Sequence, residues 1–385
     1  MKPRLFVFLT AIVVFLVISF STGNAVYMFF AIIAMVCVLY SFFSIFLSTR
    51  HAKVLHELSA HAVKRGERVD MVVSVSYNSF LPIAPITLFL RTGASEEVST
   101  IRLTSSSKGV QYFSYQLSTN HVGTYYPGVT QYIIEDIFGF FSYRFDPDIL
   151  PMELLVLPLT FEVEPLKFSP GDTGLETISR AREDATNPAD IRTYQQGDPL
   201  KKVHWKLSMR SKEIMVRRFE EPDLPDILVL LDTSQPRALP NSPGHSLRYI
   251  QDTLCETAAS VVSSQMQSDH PVRLPLLGTV PIEYDKNMGL PLLLEELARL
   301  PFDHVDPFYK VLLMEAGRMR KSGATAIVTS TLTSQTVDVV VRIHRMGPYV
   351  RLYLATFTPD APELIPFISK LQQNDIDVCY VTPAI

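Results

Sequence analysis

Residues 25–47 read AVYMFFAIIAMVCVLYSFFSIFL, twenty-three positions without an Asp, Glu, Lys or Arg. A hydrocarbon core about 30 Å thick takes about 20 apolar residues as helix, so this run is long enough to cross one. Just before it, Leu5 to Phe20 supplies sixteen more uncharged residues, and Ser21 to Asn24 leaves room only for a tight external turn. Two runs joined this way predict a transmembrane hairpin. Arg50, His51 and Lys53 follow the second run at once, and cations beside a span favour the cytoplasmic side. The rest of the chain is therefore expected on the cytoplasmic face of a two-pass cell-membrane anchor. A second reading of Leu5–Phe20 stays open: a signal peptide behind Lys2 and Arg4, cut near Gly23-Asn24-Ala25. That reading leaves the orientation unchanged. Neither run contains an Asp, Glu, Lys or Arg, so a transport path or proton relay has no such residue to run on.

The whole chain has 385 residues and a formal net charge of −4. It is long enough for several cores and has no global field that would draw it to nucleic acid. Cys37, Cys255 and Cys379 are far apart and form no Cys-x-x-Cys pair. That pattern suits a reducing compartment better than a disulfide framework or a zinc site.

From about residue 50 to 165 the pattern changes. Val69, Met71, Val73, Val75 and Tyr77 alternate with polar residues, which is the period of a half-buried strand. Comparable runs at Ile86–Leu90, Val98–Leu103, Gln111–Leu117 and Thr130–Ile134 predict a small antiparallel β-sandwich. Asp136-Ile137-Phe138-Gly139-Phe140-Phe141 reads as a turn with an aromatic plug, its phenylalanines assigned to core or edge packing.

A third segment, 166–222, contains Asp190-Ile191-Arg192-Thr193-Tyr194-Gln195-Gln196-Gly197-Asp198-Pro199-Leu200-Lys201-Lys202-Val203-His204-Trp205-Lys206-Leu207-Ser208. Gly197 suits a turn, Asp198 a helix cap and Pro199 a first helical position. A short helix is predicted from there, with Leu200, Val203, His204 and Leu207 inward and Lys201, Lys202 and Lys206 outward. His204 is read as a buried, hydrogen-bonded structural residue and Trp205 as a packing anchor. Ile214–Phe219 reads as a strand. Between Lys201 and Arg218, seven basic side chains, Arg210 and Arg217 among them, face the single acid Glu213. This patch can be a solvated face, a dock for an acidic partner, or a site for anionic lipid. Sequence-specific nucleic-acid binding is not expected.

The combination Arg-x-Tyr-x-x-Gly-Asp-Pro followed by His-Trp-Lys resembles the signature of the bacterial family called domain of unknown function 58. Asp190, Arg192, Tyr194, Gly197, Asp198, Pro199, Lys201, His204, Trp205, Lys206, Arg210 and Arg217 are the signature and interaction residues on that basis. The paired spans, the Asp136–Phe141 stretch and Leu157-Pro158 are similar to the family's layout as well.

Beyond about residue 223, Asp226–Asp232 is a continuous apolar run between acids, the mark of a buried parallel strand. Alternating helices and strands follow: a helix at Ser246–Gln267, a hairpin at Val272–Tyr284, and strands at Ala324–Ser330, Val350–Phe357 and Asp375–Val381. They predict a doubly wound α/β sheet. The order resembles a von Willebrand factor type A domain. That resemblance implies a Mg²⁺ site built from an Asp-x-Ser-x-Ser run, a loop threonine and a later Asp. Here the run is Asp232-Thr233-Ser234-Gln235-Pro236, Asn287-Met288 offers no threonine, and Ser330-Thr331 stands where the later acid belongs. No metal or other cofactor is expected, and Asp232 and Ser234 are what remains of the ligand set. Asp232, Ser234 and Ser330 mark the rim where open α/β sheets bind their ligands.

The sequence thus predicts a membrane-anchored multidomain protein: a helical hairpin (1–49), a β-sandwich (50–165), the signature segment (166–222) and a type A-like α/β domain (223–385). Its expected role is a non-enzymatic, membrane-tethered scaffold. The family resemblance implies a cytoplasmic partner of the MoxR class of AAA ATPases, in cell-envelope or complex-assembly processes. Two alternatives stay open, a hydrolase using His204 with a nearby carboxylate and an anionic-lipid sensor using the basic patch. Gly-x-Ser-x-Gly, Walker A and His-Glu-x-x-His motifs are absent from the sequence.

Overall fold

The computed structural model describes residues 3–78, 84–92, 98–103, 108–147, 149–166, 190–195, 203–211, 213–218, 227–236, 246–268, 270–275, 282–284, 289–319 and 322–384. It divides into two compact units, Met1–Leu157 and Pro158–Ile385.

The first unit opens with α1 (Pro3–Thr22) and α2 (Ala25–His51), both long and apolar enough to cross a membrane. Only Gly23 and Asn24 separate them. Gly23 takes a positive φ of 68°, and Asn24 caps α2 by accepting the Val26 N–H at 3.0 Å. A glycine and a capping residue make the shortest reversal two antiparallel helices can use. The helices pack through Phe15 and Phe30, whose ring centroids are 6.0 Å apart.

Without an intervening loop, α2 continues into β1 (Ala52–Leu58), which pairs with β3 (Val69–Asn78), itself paired with β6 (Lys108–Leu117). A facing sheet runs β5 (Val98–Leu103), β4 (Ile86–Arg91), β8 (Gly128–Glu135) and β9 (Ser142–Phe145). Val69, Met71, Val73 and Val75 of β3 and Ile86, Leu88 and Leu90 of β4 are completely buried between the sheets. This is the alternation the sequence shows, resolved into a sandwich with one solvent face per sheet. Ile45 from α2 joins the same core, so the foot of the second helix is built into the sandwich.

One strand pairing departs from the expected all-antiparallel sandwich. A third sheet places β10 (Leu154–Leu157) between β2 (Ala62–Lys64) and β7 (Gly123–Tyr125), and β10 runs parallel to β2. The strands are three and four residues long, too short for a periodic signal, and their partners lie far away along the chain.

In the second unit, β13 (Ile227–Leu231) lies in a six-stranded sheet. On one side stand β14 (Val272–Leu274) and the antiparallel β15 (Ile282–Tyr284). On the other, β16 (Ala324–Thr329), β17 (Tyr349–Ala355) and β18 (Asp377–Val381) follow in parallel. Every residue of β13 and β16 is buried, as expected of central parallel strands covered on both faces. The segment 158–166 lies along the helix Ser246–Gln267. The Leu159 N–H donates to Glu256 Oε1 at 3.3 Å, Phe161 N–H to Ser260 Oγ at 2.9 Å, and Ser264 Oγ–H to the Val163 carbonyl at 2.8 Å. Each helical turn thereby holds two strap residues.

On β1, His56 is buried with its ring close to Gly128; a Cβ there would lie 2.9 Å from Nε2. Burial holds its imidazole below the ordinary value of 6.5, an effect partly offset by the backbone of Leu150. The unfolded ring therefore takes up a proton that the folded ring resists. Stability is complete above about pH 6.5 and declines as the pH falls below it. Chemical unfolding of the wild-type chain is expected to lose more stability between about pH 7 and pH 5 than unfolding of His56→Leu. Equal pH slopes for the two proteins would contradict this account of His56.

Candidate functional site

Asp232 leaves the carboxyl end of β13, where its backbone N–H donates to the Val328 carbonyl of β16 at 2.9 Å. This places it beside Thr329, the last residue of β16. Thr329 Oγ–H donates to Asp232 Oδ2 at 2.7 Å. On the other oxygen, Oδ1 accepts from the Ser234 N–H at 3.1 Å and the Ser234 hydroxyl at 2.5 Å. The carboxyl is buried, and desolvation raises it above its ordinary value of 3.8, with the hydroxyls of Ser234 and Thr329 pulling in the opposite direction. A buried carboxylate is tolerated only when hydrogen bonds replace its water, and three donors do that here.

Around this pair the rim is completed by the chain after α5 (Leu290–Ala298). Ser234 and His304 form a β-bridge, and the His304 N–H donates to the Thr233 carbonyl at 3.4 Å. A cavity of about 520 Å³ opens beside it, lined among others by Ser234, Asp303, His304, Tyr309, Thr331 and Gln335. Its far wall is the start of α7 (Ser334–His344), where Thr333 caps the helix by accepting the Thr336 N–H at 3.1 Å. Ser330 comes next after Thr329, the residue that meets Asp232. In the sequence Thr329 is a threonine closing an apolar run, like any strand residue. Only the pairing of β13 with β16 brings it to Asp232.

The donor set is a poor match for Mg²⁺, which requires near-octahedral oxygen ligation. Asp232 commits both oxygens to hydroxyl and amide donors, and Pro236 brings no side-chain oxygen. Among the described residues no three His, Cys, Asp or Glu side chains are grouped as metal ligands. Asn287 and Met288 lie outside the described residues.

The signature segment forms a second locus in the same unit. β11 (Asp190–Thr193) pairs antiparallel with β12 (Met215–Arg218), setting Asp190 opposite Arg218, Ile191 opposite Arg217 and Arg192 opposite Val216. Tyr194 N–H extends the pairing by donating to the Ile214 carbonyl at 2.7 Å. Gly197, Asp198, Pro199 and Lys201 lie outside the described residues, as does the predicted helix start. The helix α3 spans Trp205–Ser211, so Val203 and His204 are not on an inward helical face as expected. Val203 forms an antiparallel bridge with Val216, and His204 is the cap. Its Nδ1 accepts the Leu207 N–H at 3.2 Å while its own N–H donates to the Met215 carbonyl at 2.8 Å. A residue in these roles precedes the helix.

Ser208 fastens the helix to the strand. Its hydroxyl donates to the His204 carbonyl at 3.0 Å and accepts the Met215 N–H at 2.8 Å. Trp205 corrects another expectation. It is 60 % exposed rather than packed, and Met209, one turn later on the same face, is 79 % exposed. The inward face of this short helix is taken by Leu207 and Ser208, and the indole at position 205 lies on the opposite, exposed face. Lys206 and Arg210 are exposed beside them.

An apolar helical hairpin, sheet-rich elements and an α/β sheet preceded by a basic strand–helix–strand segment define the class. Residues 190–343 match the family described as protein of unknown function DUF58. The match runs from β11 to the end of α7, covering both loci. No curated protein sequence matches the chain.

Similar solved structures include a cohesin module from a family 33 glycoside hydrolase of Clostridium perfringens. It covers 28 % of this chain and 96 % of its own length, at 9 % identity and a TM-score of 0.19. A β-glucosidase from Erythrobacter marinus covers 28 % and 15 %, at 11 % identity and a TM-score of 0.18. The sporulation control protein Spo0M of Bacillus subtilis covers 38 % and 58 %, at 18 % identity and a TM-score of 0.16. The chain spans less than two thirds of the last two proteins. Likeness at these scores carries no argument about fold or function.

Asp232→Ala leaves the hydroxyls of Ser234 and Thr329 without their acceptor and is expected to cost about 2–3 kcal/mol in chemical unfolding. Asp232→Asn keeps one carbonyl oxygen for Ser234 and should cost less. An Ala variant as stable as wild type would show that the rim does not depend on this carboxylate.

Proposed function

We propose that this protein is a membrane-tethered scaffold whose signature segment docks a cytoplasmic protein, with the helical hairpin as its anchor. The observation that carries the reading is the surface of α3, where Trp205 and Met209 project one turn apart beside Lys206 and Arg210. Tryptophan and arginine dominate the energetics of protein interfaces, and an exposed indole ringed by cations suits an acidic surface with an apolar pocket. The support beneath it is fastened to β12, because the His204 N–H donates to the Met215 carbonyl and the Ser208 hydroxyl accepts the Met215 N–H.

The partner we propose is a MoxR-class AAA ATPase, as the family resemblance implies. The α/β sheet supports a von Willebrand factor type A-like reading: its strand order, β15-β14-β13-β16-β17-β18 with β15 antiparallel, matches the alternation that prompted it. Such a domain would serve as a platform without a metal. A hydrolase built on His204 gains no support, since Nδ1 holds a helix N–H and the hydroxyl of Ser208 faces backbone groups.

The test is binding of the full chain, in mild detergent, to a purified MoxR-class ATPase. Trp205→Ala is expected to weaken binding about 30-fold, roughly 2 kcal/mol, while the thermal midpoint stays close to wild type. Wild-type binding that the substitution does not weaken, or no binding by the wild type, overturns the proposal.

A further inference from the structure

The turn at Asp136–Phe141 is more than core packing, because it is built against the two apolar helices. The Asp136 carboxylate collects three donors: the Ser41 hydroxyl of α2, the Phe138 N–H at 3.1 Å and the Phe141 N–H at 2.6 Å. The turn is closed by the Gly139 N–H on the Asp136 carbonyl at 3.0 Å, with Gly139 at a positive φ of 73°. A Cβ on Gly139 would stand 2.9 Å from the Arg4 guanidinium of α1, so the turn is seated against that helix too.

Its aromatic rings continue the surface of the hairpin. Phe140 packs edge-on to Phe8 of α1 at 4.7 Å, Phe141 meets Phe42 of α2 at 6.0 Å, and Phe138 stacks on Phe140 at 5.5 Å. Phe140 is buried by this. Ile137 and Phe138, however, remain 57 % and 38 % exposed, beside the exposed rings of Phe8 and Phe42. Two apolar side chains held outward by a rigid turn, in line with helix surfaces equally unsuited to water, call for the same solvent.

Depth along the helix agrees. Counted from the turn at Gly23–Asn24, Ser41 and Phe42 lie about 27 Å along α2 at 1.5 Å per residue. A hydrocarbon core is about 30 Å thick. The Asp136 turn therefore meets the helices where acyl chains give way to headgroups, with Arg50 and Lys53 farther out.

We propose that Asp136–Phe141 is a membrane-dipping turn that inserts Ile137 and Phe138 between the headgroups and upper acyl chains of the cytoplasmic leaflet. It gives the sandwich a second hold on the bilayer and fixes its tilt. The proposal rests on the membrane-anchor reading of α1 and α2.

The test uses the full chain with its one tryptophan removed by Trp205→Phe. Single indoles are introduced by Phe138→Trp, Ile137→Trp, Val13→Trp or Tyr112→Trp. Each protein is reconstituted in phosphatidylethanolamine–phosphatidylglycerol vesicles carrying bromine either near the glycerol or near the methyl end of the acyl chains. Phe138→Trp and Ile137→Trp are expected to lose emission, more to bromine near the glycerol. Val13→Trp should lose more to bromine near the methyl end, and Tyr112→Trp should lose none. Unquenched emission from both turn variants while Val13→Trp is quenched overturns the dipping turn and leaves the anchor standing. Unquenched emission from Val13→Trp as well removes the anchor, and the turn with it.

Discussion

Apolar side chains on α1 and α2 cover surface that water does not accommodate, and the rest of the first unit is organised around that constraint. Phe6, Val13, Val17, Phe29, Ile32, Leu39 and Phe43 all stand exposed along the two helices. A continuous apolar face of this size marks an interaction surface, and two helices this long and apolar are compatible with membrane anchoring. A bilayer covers such a face without further structure, and the backbone polar groups are already satisfied within the helices. The sandwich is not hung from this hairpin by a linker. It grows from it, through the direct passage of α2 into β1, the burial of Ile45 in the sandwich core, the Ser48 hydroxyl accepting the Ala84 N–H at 2.9 Å, and the Asp136 turn. Joined this way, the two helices fix the orientation of the sandwich relative to themselves as well as its position.

The second unit separates two kinds of polar site. At the sheet rim, Asp232, Ser234 and Thr329 are turned toward one another, and their hydrogen-bonding capacity is spent on holding strand ends together. On α3 the exposed positions are an indole, a thioether and two cations. The first arrangement stabilises; the second offers free surface. That contrast is why the proposed docking site lies on the signature helix rather than on the rim, although ligands of open α/β sheets ordinarily bind at the rim.

Much of this was legible in the residues. The hairpin followed from an absence of charge over two long runs, and the central strands from apolar runs and alternation, because each is a local pattern repeated over many positions. What escaped depends on partners distant in sequence. His56 looks like a polar residue until β1 turns it inward, the parallel pair β2–β10 joins segments about ninety residues apart, and Thr329 acquires meaning only beside Asp232. Val203 looked like an inward helical position until its bridge to Val216 placed it beside β12, ahead of the helix that begins at Trp205. Trp205 misled because tryptophan is usually packed.

The proposed topology has the hairpin span a membrane and deliver the signature surface to its cytoplasmic side. Replacing Cys37, Cys255 and Cys379 with alanine, introducing Met209→Cys on α3 and treating cells with a membrane-impermeant maleimide puts it to the test. No labelling of intact cells and full labelling once the membrane is opened are expected. Labelling of intact cells from outside would contradict that topology.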